Sequence, residues 1–257
     1  MNRRRLAGLG TCRREVELLR QVGLRLFGGN HPSILPLSPL TLGRVTSDSL
    51  ASSERSELSE LLLAVGPDAP TLCEGWDSKD LAAHLVIRES RPDASVGIVL
   101  KPLAGWTDKV QASAARRPFA DLVAKIRSGP PRLSVFALPG VDAAANTLEY
   151  FVHHEDVRRA QPDWTPRDLP ASSRSLLWKR LRASSKMLFR NATMDVVLDP
   201  TDVDDAGPIP NRPGAVVLRG PVAELVMHAH GRSQVVDLEY LGDRAVVDLY
   251  LSSTRGV

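Results

Sequence analysis

Apolar residues recur every three or four positions in five stretches of this 257-residue chain, which is the spacing of an amphipathic helix. The spacing predicts helices over about residues 52–64, 78–89, 106–127, 141–160 and 171–189. Gly66-Pro67, Gly129-Pro130 and Gln161-Pro162 end three of these stretches, because proline cannot continue a helix. Helices joined by short connections predict an up-and-down bundle for residues 46–190.

After residue 190 the pattern changes from that of a helix to that of a strand. Apolar runs predict strands over 194–198, 215–218, 235–240 and 245–251, and Pro221 at a first turn predicts a helix over 221–230. The pattern is that of an α+β protein, in which a small α+β C-terminal domain at 191–257 follows the helix bundle. Residues 1–45 lack a sustained apolar face. We interpret them as a flexible extension, or as sequence read from a start codon assigned too far upstream.

The helix predicted at 141–160 carries ionisable groups on its apolar face. Glu149, His153 and Asp156 are three, four or seven positions apart, so they share one face with Val152. Burying a carboxylate and an imidazole costs several kcal/mol unless a partner compensates for the lost hydration. A divalent metal ion suits both groups as a partner. This face therefore predicts a metal site.

A second histidine is predicted on the buried side of another helix. A capping signal at Asp77 or Ser78 starts that helix, which places His84 between Leu81 and Ile87. A core histidine bonded to a backbone carbonyl is the commoner reason for such a placement. Combined with the glutamate and histidine of the other helix, it offers two nitrogens and one carboxylate. Three protein ligands leave a position open for water or substrate, as catalytic zinc sites do.

Two segments resemble a known family. Gly75 to Leu85 reads GW-x-x-x-D-L-A-A-H-L, and Glu149 to Ala160 reads E-Y-F-V-H-H-E-D-V-R-R-A. Both resemble the DinB-like superfamily. More narrowly, they are similar to the N-terminal domain of mycothiol-dependent maleylpyruvate isomerases and to an allied, uncharacterised actinobacterial family of metal-binding proteins. The resemblance is good over about residues 52–190 and looser beyond them, and it implies a DinB-like four-helix bundle.

The resemblance also implies a site and a cofactor. It implies that His84, Glu149 and His153 hold a divalent metal, with zinc as the expected ion and nickel as the alternative. Asp156 is predicted to orient an imidazole rather than to bind the metal itself. The implied nucleophile is the thiolate of mycothiol, which adds to a small electrophilic substrate. We therefore expect a metal-dependent thiol transferase or isomerase.

Two other functions use the same three ligands. A non-catalytic protein could hold a structural ion that braces the bundle, although closed structural sites normally have four protein ligands. A metal-dependent hydrolase would use water in place of a thiol as the nucleophile. The sequence alone leaves both alternatives open.

Four residues near the motifs have plainer interpretations. His154 falls on the opposite side of its helix from the predicted site, so we expect it at the surface. Cys73 is interpreted as a packing residue rather than as a metal ligand or a nucleophile. Arg158 and Arg159 could bind an anionic substrate, but solvated positions at a helix end explain them equally well.

Charge and cysteine content exclude several classes of protein. The chain carries a net charge of +3 and a pI near 9.1, but residues 1–45 hold eight arginines and two acids, or +6, which leaves −3 for residues 46–257. A mildly acidic body argues against nucleic-acid binding. Two cysteines provide no disulfide framework and fit a reducing cytosol, and no apolar run has the length of a membrane span. We expect a cytoplasmic protein that binds neither nucleic acid nor membrane.

Overall fold

The computed structural model describes residues 47–90, 110–111, 113–131, 141–204, 206–207 and 213–254. Five helices among the described residues are α1 (Ser47–Val65), α2 (Ser78–Ser90), α3 (Phe119–Arg127), α4 (Val141–Arg158) and α5 (Ala171–Leu188). They correspond to the five predicted helices, and α3 begins directly after the break expected at Pro118. The extension at residues 1–45 and the predicted start of the third helix at 106–109 lie outside the described residues.

A three-stranded sheet follows the helices. The remaining elements in chain order are β1 (Val196–Pro200), β2 (Val216–Gly220), α6 (Val222–Ala229), a short 3-10 helix (Ser233–Val235), β3 (Glu239–Leu241) and α7 (Arg244–Thr254). Strand β2 is central, because it pairs parallel with β1 and antiparallel with β3. The fold is α+β, as the sequence predicts. Within the described ranges, no helix is long and apolar enough to cross a membrane.

The strand predicted over residues 245–251 is wrong, because this segment lies inside helix α7. The side chain of Asp243 accepts a hydrogen bond of 2.9 Å from the backbone N–H two residues later, a contact that favours the start of a helix. Val247 and Tyr250, three residues apart, then pack in the same hydrophobic cluster while Leu249 is exposed. The segment therefore follows the helical period, and alternation over seven residues was too short to reveal it.

Helix α2, which carries His84, begins where the sequence predicts. The carboxylate of Asp77 accepts the backbone N–H of Asp80 at 2.9 Å and so satisfies a donor that the helix itself leaves unpaired. The preceding helix, α1, ends at Val65. Gly66 comes next with a positive φ of 86°, and its N–H donates to the carbonyl of Leu62. These two ends fix the turn that leads into the candidate site.

Helix α4 lies between two hydrophobic clusters. One cluster joins it to α1, α2 and α3 through Tyr150 and Val157. The other joins it to α5 and the C-terminal elements through Phe151 and Val152. Every residue from 150 to 157 is buried as a result. The helix that carries most of the predicted site is therefore covered on all sides over these residues. The other helices and the C-terminal elements both pack on it.

Candidate metal centre

Three side chains of the predicted site come together between α2 and α4. Oε1 of Glu149 lies 3.5 Å from Nε2 of His84 and 3.4 Å from Nε2 of His153. The ligand atoms of the three residues all lie within 4.8 Å of one another. The three side chains are at most 8% exposed, so the cluster is shielded from bulk water. The two helices thus place two nitrogens and one oxygen around a single point.

The spacing of these atoms fits a metal ion better than it fits direct hydrogen bonds. In a tetrahedral zinc site with bonds of about 2.0–2.1 Å, neighbouring ligand atoms lie about 3.3–3.4 Å apart. The two measured separations, 3.4 and 3.5 Å, are close to that edge length. They are longer than the roughly 2.7–3.2 Å of an ordinary N–H···O bond. The donor set therefore fits a divalent cation.

Asp156 determines which nitrogen of His153 carries the proton. One oxygen of its carboxylate, Oδ2, lies 3.0 Å from Nδ1 of the imidazole. An ionised carboxylate can only accept, so Nδ1 carries the proton and Nε2 of the neutral ring keeps its lone pair. That lone pair is on the side of Glu149. Asp156 thus contacts the edge of the His153 ring that faces away from Glu149.

Aromatic contacts surround the ring of His84. Its centroid lies 5.1 Å from that of the Trp76 ring and 5.5 Å from that of the His153 ring. Trp76 comes directly before the cap of α2 and is partly buried against the first hydrophobic cluster. The imidazole of His84 is therefore positioned by Trp76 on one side and by the other candidate ligands on the other side.

Arg88 belongs to the site, and our reading of the sequence missed it. Its Nε lies 3.1 Å from Oε1 of Glu149, the same oxygen that faces both histidines. The side chain is almost completely buried, at 1% exposure. Arg88 follows His84 by four residues, so a helical projection places the two on one face of α2. That projection could have identified it, although a fully buried arginine is rare.

A chain of buried polar contacts holds Arg88 in place. Its NH1 donates to Oδ1 of Asn146, and Nδ2 of Asn146 donates to Glu89 at 3.1 Å. The same oxygen of Glu89 accepts from Arg55 at 2.7 Å. The guanidinium of Arg55 in turn lies over the ring of Tyr150, 4.5 Å from its centroid. The network links α1, α2 and α4 behind the candidate ligands.

The electrostatic environment keeps Glu149 ionised. Burial alone raises the pKa of its carboxyl, but the positive charge of Arg88 and the contacts with both imidazoles outweigh burial. The pKa of Glu149 is held well below its ordinary value as a result. The carboxylate is thus in the charged form that a metal ligand requires.

A second buried cluster lies on the other side of His153. Arg232 donates to both oxygens of Asp156, through Nε at 2.8 Å and NH2 at 2.6 Å. The thiol of Cys73 also donates to Asp156 at 3.3 Å. Burial raises the pKa of Asp156, but Arg232 and His153 outweigh it and hold the pKa well below its usual range. Cys73 therefore does more than pack, because it completes the hydrogen bonding of this carboxylate.

The prediction that His154 lies at the surface is wrong. The residue is 4% exposed, and its Nδ1 lies 2.7 Å from Glu54 of α1. Glu54, Glu57 and His154 form a further group with metal-ligand spacing. Arg167 donates to both oxygens of Glu54 and to one of Glu57, so a guanidinium already pairs with both acids. The group is an ion-pair cluster that ties α1 to α4.

The interpretation of Arg159 as a solvated residue is also wrong. Its guanidinium donates to Glu155 at 2.6 Å and to both oxygens of Glu224 at 2.7 and 2.8 Å. Glu224 belongs to α6, so the ion pair joins α4 to the C-terminal elements. Arg158 is partly exposed and donates to Glu155 and to the carbonyl of Thr165. Both arginines hold neighbouring segments together.

Comparison with known proteins yields one distant likeness. No protein-family model matches the sequence, and no curated protein sequence matches it. A solved structure described as the crystal structure of the mycothiol-dependent maleylpyruvate isomerase is similar at 19% identity. The match covers 76% of this chain and 91% of that one, with a TM-score of 0.45. A likeness this distant assigns neither a site nor an activity to this chain.

Proposed function

We propose that this protein binds a divalent metal through His84, Glu149 and His153, and that it is a mycothiol-dependent transferase or isomerase. The observation that supports this most directly is the pair of 3.4 and 3.5 Å separations between one carboxylate oxygen and two imidazole nitrogens. Zinc is the proposed ion, with nickel as the alternative. Three protein ligands leave a coordination position for a small exogenous ligand.

The charges around the cluster favour an anionic ligand at that position. Two neutral imidazoles and the carboxylate of Glu149 leave a divalent ion with one net positive charge. Arg88 adds another, since its guanidinium lies 3.1 Å from the same carboxylate. Asp156 and Arg232 cancel each other. In a buried site, excess positive charge stabilises a thiolate over the neutral thiol.

Each residue of the chain has a separate task in this proposal. Glu149 contributes the negative charge that retains the ion, and Arg88 fixes the orientation of that carboxylate. Asp156 holds the proton of His153 on Nδ1 and so presents Nε2 to the cluster. Trp76 covers one face of His84 and helps to exclude water. A bound divalent ion would supply the Lewis acidity that lowers the pKa of a coordinated thiol toward neutrality.

Calorimetric titration with mycothiol tests the proposal. We expect mycothiol to bind zinc-loaded protein, not to bind protein stripped with a chelator, and to bind more tightly as the pH rises toward neutrality. Equal binding to both forms, or none to the zinc-loaded form, would reject the thiol-dependent function. In that case zinc-dependent ester hydrolysis, followed with a chromogenic ester, would favour a hydrolase.

A structural ion is the second candidate, and the burial of the ligands favours it. His84 is 4% exposed and His153 is fully buried, so an ion here would brace α2 against α4. A purely structural ion would raise the thermal midpoint of unfolding, but the zinc-loaded protein would neither bind mycothiol nor hydrolyse esters. A catalytic site would respond to at least one of them.

A further inference from the structure

Arg232 lies far along the chain from the candidate ligands but reaches their immediate surroundings. The residue is 1% exposed and belongs to the C-terminal part, three residues beyond the end of α6. It occupies both oxygens of Asp156, and Asp156 in turn contacts Nδ1 of His153. Two successive contacts therefore connect the C-terminal part to His153, a candidate metal ligand.

The end of α6 explains how Arg232 reaches this position. Gly231 has a φ of +86°, which a residue with a side chain rarely adopts. Its N–H donates to the carbonyl of His228 at 2.9 Å, and the N–H of Arg232 donates to that of Met227 at 3.0 Å. This pair of bonds is a Schellman motif, which reverses the chain at the end of a helix. The reversal fixes the backbone of Arg232 before its side chain makes any contact.

The carboxylate of Asp156 depends on Arg232 for its charge balance and for its orientation. Two parallel hydrogen bonds from a planar guanidinium fix the plane of a carboxylate, which a single donor does not. The side chain of Cys73 donates to the same carboxylate and also accepts from NH2 of Arg232 at 3.4 Å. The guanidinium is itself anchored, because NH1 donates to the carbonyl of His230 at 2.6 Å. The carboxylate therefore presents Oδ2 to His153 in one fixed direction.

We propose that Arg232 is a positioning residue for the candidate metal centre. By holding both oxygens of Asp156, it fixes the tautomer and ring orientation of His153, so the metal affinity of the bundle depends on the C-terminal part. The inference rests on the proposed metal site. Loss of a residue that orients a metal ligand without binding the metal itself typically weakens metal binding about 10- to 100-fold. We expect Arg232→Met to lower zinc affinity by that factor.

Zinc affinity is measured by competition with a chromophoric chelator, on wild type and on Arg232→Met, Arg232→Lys, Asp156→Asn and the double variant Asp156→Asn/Arg232→Met. Lysine keeps the charge but cannot make two parallel bonds, so Arg232→Lys should recover only part of the affinity. The double variant should bind zinc as weakly as Asp156→Asn alone, because Arg232 acts through Asp156. Independent, additive losses would overturn the inference. Arg219→Met, which removes a half-exposed arginine of β2, is the matched control and should bind zinc as wild type does.

The absorption spectrum of cobalt-substituted protein provides a second readout. A displaced His153 should alter the ligand-field bands in Arg232→Met, whereas a purely structural role would leave the bands of the folded fraction unchanged. If Arg232→Met does not fold, Arg232→Lys decides: weaker zinc binding supports the inference, and wild-type affinity rejects it. If wild type binds zinc, His84→Ala does not, and Arg232→Met has the zinc affinity of wild type, the metal site stands and the role of Arg232 is rejected. Absence of zinc binding by wild type rejects both the site and the inference.

Discussion

Arg88 and Glu149 form an ion pair inside the candidate metal centre, with Nε of the arginine 3.1 Å from Oε1 of the glutamate. The same oxygen lies 3.4 and 3.5 Å from the two histidine nitrogens. Arg88 would therefore compete with a bound metal ion for the charge of this carboxylate while it holds the carboxylate in place. The balance of these two effects can be measured.

Replacing Arg88 by methionine should raise zinc affinity and weaken the binding of mycothiol to the zinc-loaded protein. Two unit charges about 4 Å apart interact by about 4 kcal/mol at an effective dielectric constant of 20. If removal of Arg88 relieves only a third of a repulsion of that size, zinc affinity rises roughly tenfold. Chelator competition and calorimetry measure the two affinities. Arg127→Met, which removes an exposed arginine paired with Glu60, is the matched control. Weaker zinc binding in Arg88→Met would show that orienting Glu149 outweighs the repulsion.

Replacing His84 or His153 by alanine should abolish stoichiometric zinc binding, as measured by metal analysis of reconstituted protein. Each variant removes one of three ligands, and the two that remain cannot retain the ion at micromolar protein. His154→Ala should keep the metal, because Nδ1 of His154 faces Glu54 rather than the cluster. Its thermal midpoint should fall, since it leaves a buried carboxylate with one donor fewer. Full zinc occupancy in His153→Ala would remove the site from this position.

Replacing Glu149 by glutamine should weaken zinc retention and, with it, the binding of mycothiol. The amide keeps the shape of the side chain but removes the only negative charge among the three ligands, although it leaves a bound ion more electrophilic. Glu57→Gln is the matched control, because Glu57 is largely exposed and faces Arg167. Unchanged zinc affinity in Glu149→Gln, with Glu57→Gln normal, would exclude Glu149 as a ligand.

The metal-free protein should lose stability as the pH falls below about 6.5, and His228 should account for part of the loss. Burial lowers the pKa of His228 from 6.5 to about 4, and its Nε2 lies 2.7 Å from the hydroxyl of Tyr250. Between these two pH values the unfolded chain binds a proton that the folded chain does not, so the free energy of unfolding decreases as the pH falls. The decrease is at most about 1.4 kcal/mol per pH unit, or roughly 3 kcal/mol over this range.

Urea unfolding at pH 7.5, 5.5 and 4.5 checks this, with chelator present so that metal release does not contribute. His228→Gln keeps a polar group beside Tyr250 but does not titrate, so its free energy of unfolding should fall less steeply with pH than that of wild type. Parallel pH profiles for the two proteins would contradict the assignment.

The sequence by itself determined the helices and the face of α4 that carries the candidate ligands. Local hydrogen bonds and the 3.6-residue period connect residues up to four positions apart, and these are sufficient to align Glu149, His153 and Asp156. The same local reasoning placed the cap of α2 at Asp77 or Ser78, and the structure shows that Asp77 provides it. It failed over residues 245–251, where seven residues fit both a strand and a helix.

Tertiary structure decided what covers each face. A helical projection gives the angle between His153 and His154 but not their surroundings, and α4 is buried on both sides because a separate hydrophobic cluster packs on each. The pairing of Asp156 with Arg232 joins residues 76 positions apart, which no local period relates. Such contacts depend on how whole elements pack, since a buried charge is stable only where packing brings its counter-charge within hydrogen-bonding distance.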